Sequence, residues 1–329
     1  MSPETTSVNR LPMLNIEHFE QISLDGTWRF QLLHSPTEKL GKRWASIPVP
    51  GLWTMQEPSE VFFDKPIYTN TQMPFEEFPP FVPAENPTGI YERDFEIPKS
   101  WDGKRIVLHL GGYESVALVY INGQEVGLTK DSRLAAEFDV TQFVRSGNNV
   151  LRIDVTKWSD ATFIEDQDQW WHGGITRSIK LYATNKVFIE RFKSVAGLEK
   201  DGTTGTLSIE ADLGSLDDLS TDGYTFRASI TELPKVKSAN LEKTIKNFTS
   251  PKWTERDADL KKRSDDYFHG KFWDGNLPAD AKAAIMENEP YPHGKVVLET
   301  RIPKVNPWSA ELPNLYTLHI ELIDPHGTI

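Results

Sequence analysis

Residues 151–182 hold the densest combination of chemically capable side chains in the chain. Asp160, Glu165, Asp166 and Asp168 stand beside Trp158, Trp170 and Trp171. The stretch is a loop between two alternating segments, Val150–Val155 and Ile179–Tyr182. Loops are ordinarily small and polar, because exposed apolar surface has to be covered by something. Carboxylates next to indoles suit a sugar, whose hydroxyls need acceptors and whose C–H faces stack on rings. The same acids could hold a cation. A third reading is a sandwich corner whose tryptophans close the core while its acids stay in water. A glycosidase pair of carboxyls is disfavoured, because such a pair flanks one bond from opposite sides and usually comes from different elements. Glu165, Asp166 and Asp168 lie too close together in sequence for that.

The elements that position this loop read as strands. Ile106–Leu110 and Val116–Ile121 alternate, and Asn122–Gly123 separates the second from Glu125–Leu128. Asn-Gly between apolar runs is the strongest short hairpin signal, since both residues tolerate positive φ. Ala136–Val140, Asn149–Val155 and Ser178–Tyr182 follow at similar spacing with no helix between them, which predicts an antiparallel sandwich. Pro48 to Pro98 is rich in proline and aromatics, and proline-dense chain is excluded from central strands. It is therefore expected to wrap the sandwich as extended loops.

A boundary falls near Thr184–Lys186. Beyond it Val187–Phe192, Gly205–Asp212, Tyr224–Glu232, Lys295–Ile302 and Leu315–Ile323 alternate again, giving a small immunoglobulin-like sandwich. Residues 234–294 interrupt it as a long insertion. This insertion is charge-rich, carries the helix candidates Ala239–Phe248 and Ala279–Asn288, and holds Trp253, Tyr267, Phe268, Phe272 and Trp273. So many rings imply either docking on another surface or a self-folded excursion.

Composition narrows the function classes. With 329 residues and 38% hydrophobic content, the chain can build two or three domains with buried cores. A formal net charge of −12 and a pI near 5.2 argue against nucleic acid and anionic membrane as partners. Cysteine is absent, which removes disulfides, thiol nucleophiles and thiolate metal sites. MSPETTSVNRLPM lacks the apolar core of a signal peptide, so a soluble, cytoplasmic protein is expected. No dinucleotide fingerprint, P-loop, zinc-protease or nucleophile-elbow motif occurs. The eight histidines lack zinc-site spacing, and His172 in WWHGG reads as structural.

Seven blocks occur in a telling order: LDGTWRF (Leu24–Phe30), VPGLW (Val49–Trp53), PIYTN (Pro66–Asn70), PPFVPAENPTGIY (Pro79–Tyr91), DSRL (Asp131–Leu134), WSDATFIEDQDQW (Trp158–Trp170) and PWSAELPNLY (Pro307–Tyr316). Together they resemble the amino-terminal part of the β-galactosidases of glycoside hydrolase family 2. The resemblance implies an all-β chain: an arm over 1–23, a galactose-binding-like jelly-roll sandwich over 24–185, and the immunoglobulin-like sandwich over 186–329. In that family a catalytic (β/α)₈ barrel follows and supplies both catalytic glutamates. No βα alternation appears here, so no residue of this chain is expected to be catalytic, and a fragment, a truncated frame or half of a split enzyme is expected.

The resemblance also assigns substrate-binding roles. Asn86, the asparagine of ENPTG, would hydrogen-bond substrate hydroxyls. Asp168, the second aspartate of EDQD, would contact the sugar and help hold sodium. A turn cap for Asn86 and a loop tie for Asp168 are the structural alternatives. Magnesium is a cofactor of the complete enzymes, and neither ion is expected to stay on this chain alone. A peripheral magnesium site in some members uses a carboxylate equivalent to Asp160 beside an amide, but Lys130 stands at the amide position here. The complete enzyme would cleave terminal β-D-galactosides with retention, with the barrel as partner and homo-oligomers possible. The alternative is a free-standing carbohydrate-binding or assembly module without hydrolase activity.

Overall fold

The computed structural model describes residues 5–11, 17–70, 72–165, 168–216, 221–232, 239–244 and 295–329. It divides at Asn185–Lys186 into two units. Among the described residues the regular structure is strand throughout, apart from three short 3₁₀ turns at Trp53–Met55, Lys99–Trp101 and Asp160–Phe163.

The first unit is a jelly-roll sandwich. Its larger sheet runs, in spatial order, Ser7–Val8, Gln124–Thr129, Val116–Ile121, Gly147–Thr156, Thr88–Ile97, Gly26–Leu33 and Ala45–Val49. The facing sheet runs Arg10–Leu11, Ala136–Asp139, Arg105–Leu110, Ile179–Thr184 and Gln21–Ser23. Residues 7–11 and 21–23 thus add short edge strands to both sheets. Between the sheets, Phe30, Tyr91, Val119, Ile153 and Val155 meet Leu108, Leu110, Phe138 and Leu181, all buried. Alternation puts these side chains inward and their neighbours outward. Truncating a ring such as Phe30 to alanine would cost roughly 3–5 kcal/mol.

The Asn122–Gly123 turn forms as its sequence predicts, with φ of 52° and 79° joining paired strands. The Asn122 amide does more than turn the chain: it donates to the Phe143 carbonyl (2.9 Å) and accepts from the Val150 amide (3.0 Å).

The expectation for Pro48–Pro98 is corrected. Thr88–Ile97 is a central strand of the larger sheet, paired with Gly147–Thr156 on one side and Gly26–Leu33 on the other. Pro87 and Pro98 bracket it, so the ladder itself contains no proline, and Pro48 sits in the edge strand Ala45–Val49, where a missing N–H is tolerated. Proline density averaged over fifty residues concealed a proline-free run of ten.

The second unit is an immunoglobulin-like sandwich of two three-stranded sheets. One orders Val187–Leu198, Gly205–Ser215 and Lys295–Ile302, and the other Ala239–Thr244, Thr225–Glu232 and Tyr316–Ile323. Ile209, Leu213, Phe226, Ala228 and Val296 form its core. Ala239–Thr244 is a strand, against the helix expected over Ala239–Phe248. A helix that short is marginal, whereas the segment completes a ladder with Thr225–Ile230. The remaining insertion, with the helix candidate Ala279–Asn288 and its five rings, lies outside the described residues.

Candidate functional site

The acidic tryptophan loop leaves the Gly147–Thr156 strand where its alternation breaks, at Lys157. Lys157 is only 1% exposed, and its ammonium lies 2.9 and 2.8 Å from the two oxygens of Asp64. The Trp53 indole donates to the same carboxylate at 2.8 Å, and the Trp158 ring lies 5.0 Å from the ammonium. Burial holds the Lys157 pKa below its ordinary value, opposed by Asp64. Pairing and supporting hydrogen bonds keep the charge tolerable at that depth.

Asn86 fixes the next residue. Its amide donates to the Trp158 carbonyl and accepts from the Trp158 N–H, both at 2.9 Å, and the residue is 3% exposed. The Lys157 N–H donates to the Pro87 carbonyl at 3.0 Å. The ENPTG turn and the acidic loop are therefore joined along their bases. Phe75 adds edge contacts to Trp158 and Phe163.

The DSRL block braces the loop from another side. Ser132 donates its N–H to Glu165 at 3.0 Å, and Arg133 pairs with Glu114 at 3.0 Å. Burial raises the Glu165 carboxyl above the ordinary glutamate range, against the Ser132 hydrogen bonds and the nearby Arg133. Lys130 places its ammonium 2.8 Å from Asp160. That ammonium, itself buried, pairs with one oxygen of the Asp160 carboxylate where the resemblance would put a magnesium ligand.

The rim is different. The return strand Trp170–Trp171 pairs with Ile67–Tyr68 of PIYTN, and the Tyr68 hydroxyl donates to Asp168 at 2.6 Å. That hydrogen bond raises the Tyr68 phenol above its ordinary value. Asp168 is exposed, Trp170 is 55% exposed, and its ring lies 5.5 Å from that of Tyr68. Trp171 is buried beneath, donating to the Thr69 hydroxyl at 2.9 Å and meeting Trp158 edge-on at 5.6 Å. The PPFVP turn exposes Phe78 and Phe81.

One run of contacts through Trp158, Trp171 and the Thr69–Tyr68 segment connects Asn86 to Asp168. His172 shares a 3.0 Å hydrogen bond with Thr54, and burial lowers its pKa. As a cation site the rim offers one carboxylate and one phenol oxygen, a fit for part of a coordination shell only. No cluster of three metal-binding side chains occurs among the described residues. The described loop acids Asp160, Glu165 and Asp168 each accept a hydrogen bond, from Lys130, Ser132 and Tyr68 respectively. Tyr68, Lys157, Asp64 and Arg133 carry the geometry. Tyr68 and Arg133 lie in the PIYTN and DSRL blocks, whereas nothing in the sequence marks Asp64 or Lys157.

Residues 21–185 match the model for the sugar-binding domain of the glycosyl hydrolases of family 2, and residues 187–329 match a second model of that family. The chain belongs to glycoside hydrolase family 2. It is similar to the β-galactosidase of Psychromonas ingrahamii, with 32% identity over 320 residues, covering 94% of this chain and 27% of that protein. Identity to the Kluyveromyces lactis β-galactosidase is 40% over 192 residues, covering 55% of this chain and 18% of that protein. The chain thus spans about a quarter or less of the relatives it matches. Family 2 structures share its fold. A member from Bacteroides cellulosilyticus superposes with a TM-score of 0.62 at 16% identity, covering 93% of this chain and 34% of that one. A β-glucuronidase from an uncultured Clostridium gives 0.58 at 16% identity, covering 94% and 44%.

Proposed function

We propose that this chain is the sugar-site-shaping, amino-terminal part of a retaining β-galactosidase. The observation that carries the reading is the Asp168–Tyr68–Trp170 rim: an acceptor for sugar hydroxyls beside an open indole, on a loop whose base is pinned. In this reading Asn86 acts by position, holding the ENPTG turn against the acidic loop with an amide committed to Trp158. Asp168 contacts the galactosyl group and gives one oxygen to a sodium ion, whose remaining ligands come from elsewhere in the enzyme. The catalytic glutamates belong to a barrel outside these 329 residues, and the exposed Phe78 and Phe81 suit contact with such a neighbour. A cytoplasmic location agrees with the lack of cysteine.

Binding contacts without a nucleophile and an acid lower the barrier little. The purified chain is therefore expected to give background rates with a chromogenic β-galactoside. Turnover that follows the chain through purification and vanishes in Glu165→Gln would overturn the assignment. The openness of Tyr68 and Trp170 favours a second reading, a free-standing carbohydrate-binding module. It predicts tight galactoside binding by this chain unaided.

A further inference from the structure

A groove of about 540 Å³ opens on the smaller sheet of the jelly roll, and its lining includes neither an acid nor a tryptophan of the acidic loop and no residue of the ENPTG turn. Its lining includes His109, Leu134, Thr176, Arg177, Ser178 and Lys180, with no carboxylate and no Phe, Tyr or Trp. That composition is the reverse of the Asp168–Trp170 rim. Register places His109 and Lys180 on one face. His109 lies opposite Lys180 across one strand pair and opposite Glu137 across the other. Ser178 and Lys180 are two residues apart on one strand and so share a face.

His109 gives the groove a fixed floor. The residue is 6% exposed, its Nδ1 lies 2.9 Å from Glu137, and Tyr182 donates to the other Glu137 oxygen at 2.9 Å. The residue is among those that line the groove. Arg177 and Lys180 make no hydrogen bond or ion pair among the described residues, although the chain as a whole carries a net charge of −12. Two cations thus line one groove of an acidic protein, with the Glu137 carboxylate held behind the His109 ring.

We propose that this groove binds a small organic oxyanion, the carboxylate or phosphate of a sugar acid or sugar phosphate. The Arg177 guanidinium and Lys180 ammonium engage the charge, the Thr176 and Ser178 hydroxyls reach the remaining oxygens, and Leu134 covers an apolar edge. A neutral galactoside is a poor occupant, because the lining offers no carboxylate acceptor and no stacking ring. The groove's chemistry does not depend on the galactosidase reading.

The ¹⁵N-labelled full chain, titrated at low ionic strength with inorganic phosphate, glucuronate and galactose, tests the assignment. Saturable shifts of the Gly111, Arg177 and Lys180 amides with phosphate or glucuronate, but not galactose, are expected. Saturation by only one of the two tells phosphoryl from carboxylate recognition. The double variant Arg177→Ala/Lys180→Ala, which removes one exposed and one half-buried side chain, should weaken that binding about tenfold or more. Shifts matched by chloride at equal ionic strength, or affinity unchanged in the double variant, would overturn the site.

Discussion

The base and the rim of the acidic loop are made of the same residue types and behave oppositely. At the base, Lys157 meets Asp64, Lys130 meets Asp160 and the Asn86 amide is spent twice on Trp158, all at or below the surface. At the rim, Asp168 accepts from Tyr68 in the open and Trp170 covers little. Buried charge is tolerated only when paired, so the base is an anchor. Exposed charge costs little to keep available, so the rim is where a ligand can compete. The comparison separates residues that hold the site from residues that would use it.

The largest effect should come from breaking the base. Lys157→Met leaves Asp64 buried without its cation, and urea unfolding should show a loss of about 3–5 kcal/mol. Adding Asp64→Leu should return part of that loss. If Lys157→Met is neutral, the pair is not the anchor. Asn86→Ala comes next. It orphans both backbone groups of Trp158, for about 2–4 kcal/mol, with loss of protection at the Trp158 amide in hydrogen exchange as the specific signature. An unprotected Trp158 amide in the wild type would contradict the double hydrogen bond.

The smallest effect concerns Glu165, between base and rim. Its folded pKa is raised by burial, so its contribution to stability is present below the unfolded glutamate value near 4.3 and is lost as pH rises through the folded value. Glu165→Gln should therefore gain on the wild type as pH rises through that window. Half exposure keeps the gain below about 1 kcal/mol. Melting temperatures across pH check the sign. A variant that falls behind as pH rises would mean that the charged form is the favoured partner of Ser132.

Much of the fold was legible because alternation and the Asn122–Gly123 turn act locally. The failures share a cause. Thr88–Ile97 hid in proline-rich surroundings, and Ala239–Thr244 took a strand from its neighbour's ladder, which no local propensity encodes. At the site, ordered motifs pointed to Asn86 and Asp168. Their different environments were not legible, because the Asn86 partner is backbone 72 residues away and the Lys157 partner lies 93 residues away.

The base of the loop is satisfied within this chain, whereas the rim leaves Asp168 and Trp170 exposed. One phenol-tethered carboxylate would offer a sugar one or two hydrogen bonds of about 1 kcal/mol each in water, too little to offset capture of the ligand. The direct test is a galactose titration of the labelled chain, with and without sodium, read at the Asp168 and Trp170 signals. The account predicts no saturation in the millimolar range and no sodium dependence. Sub-millimolar, sodium-dependent binding at Asp168 would contradict it and make the free-standing module the better description.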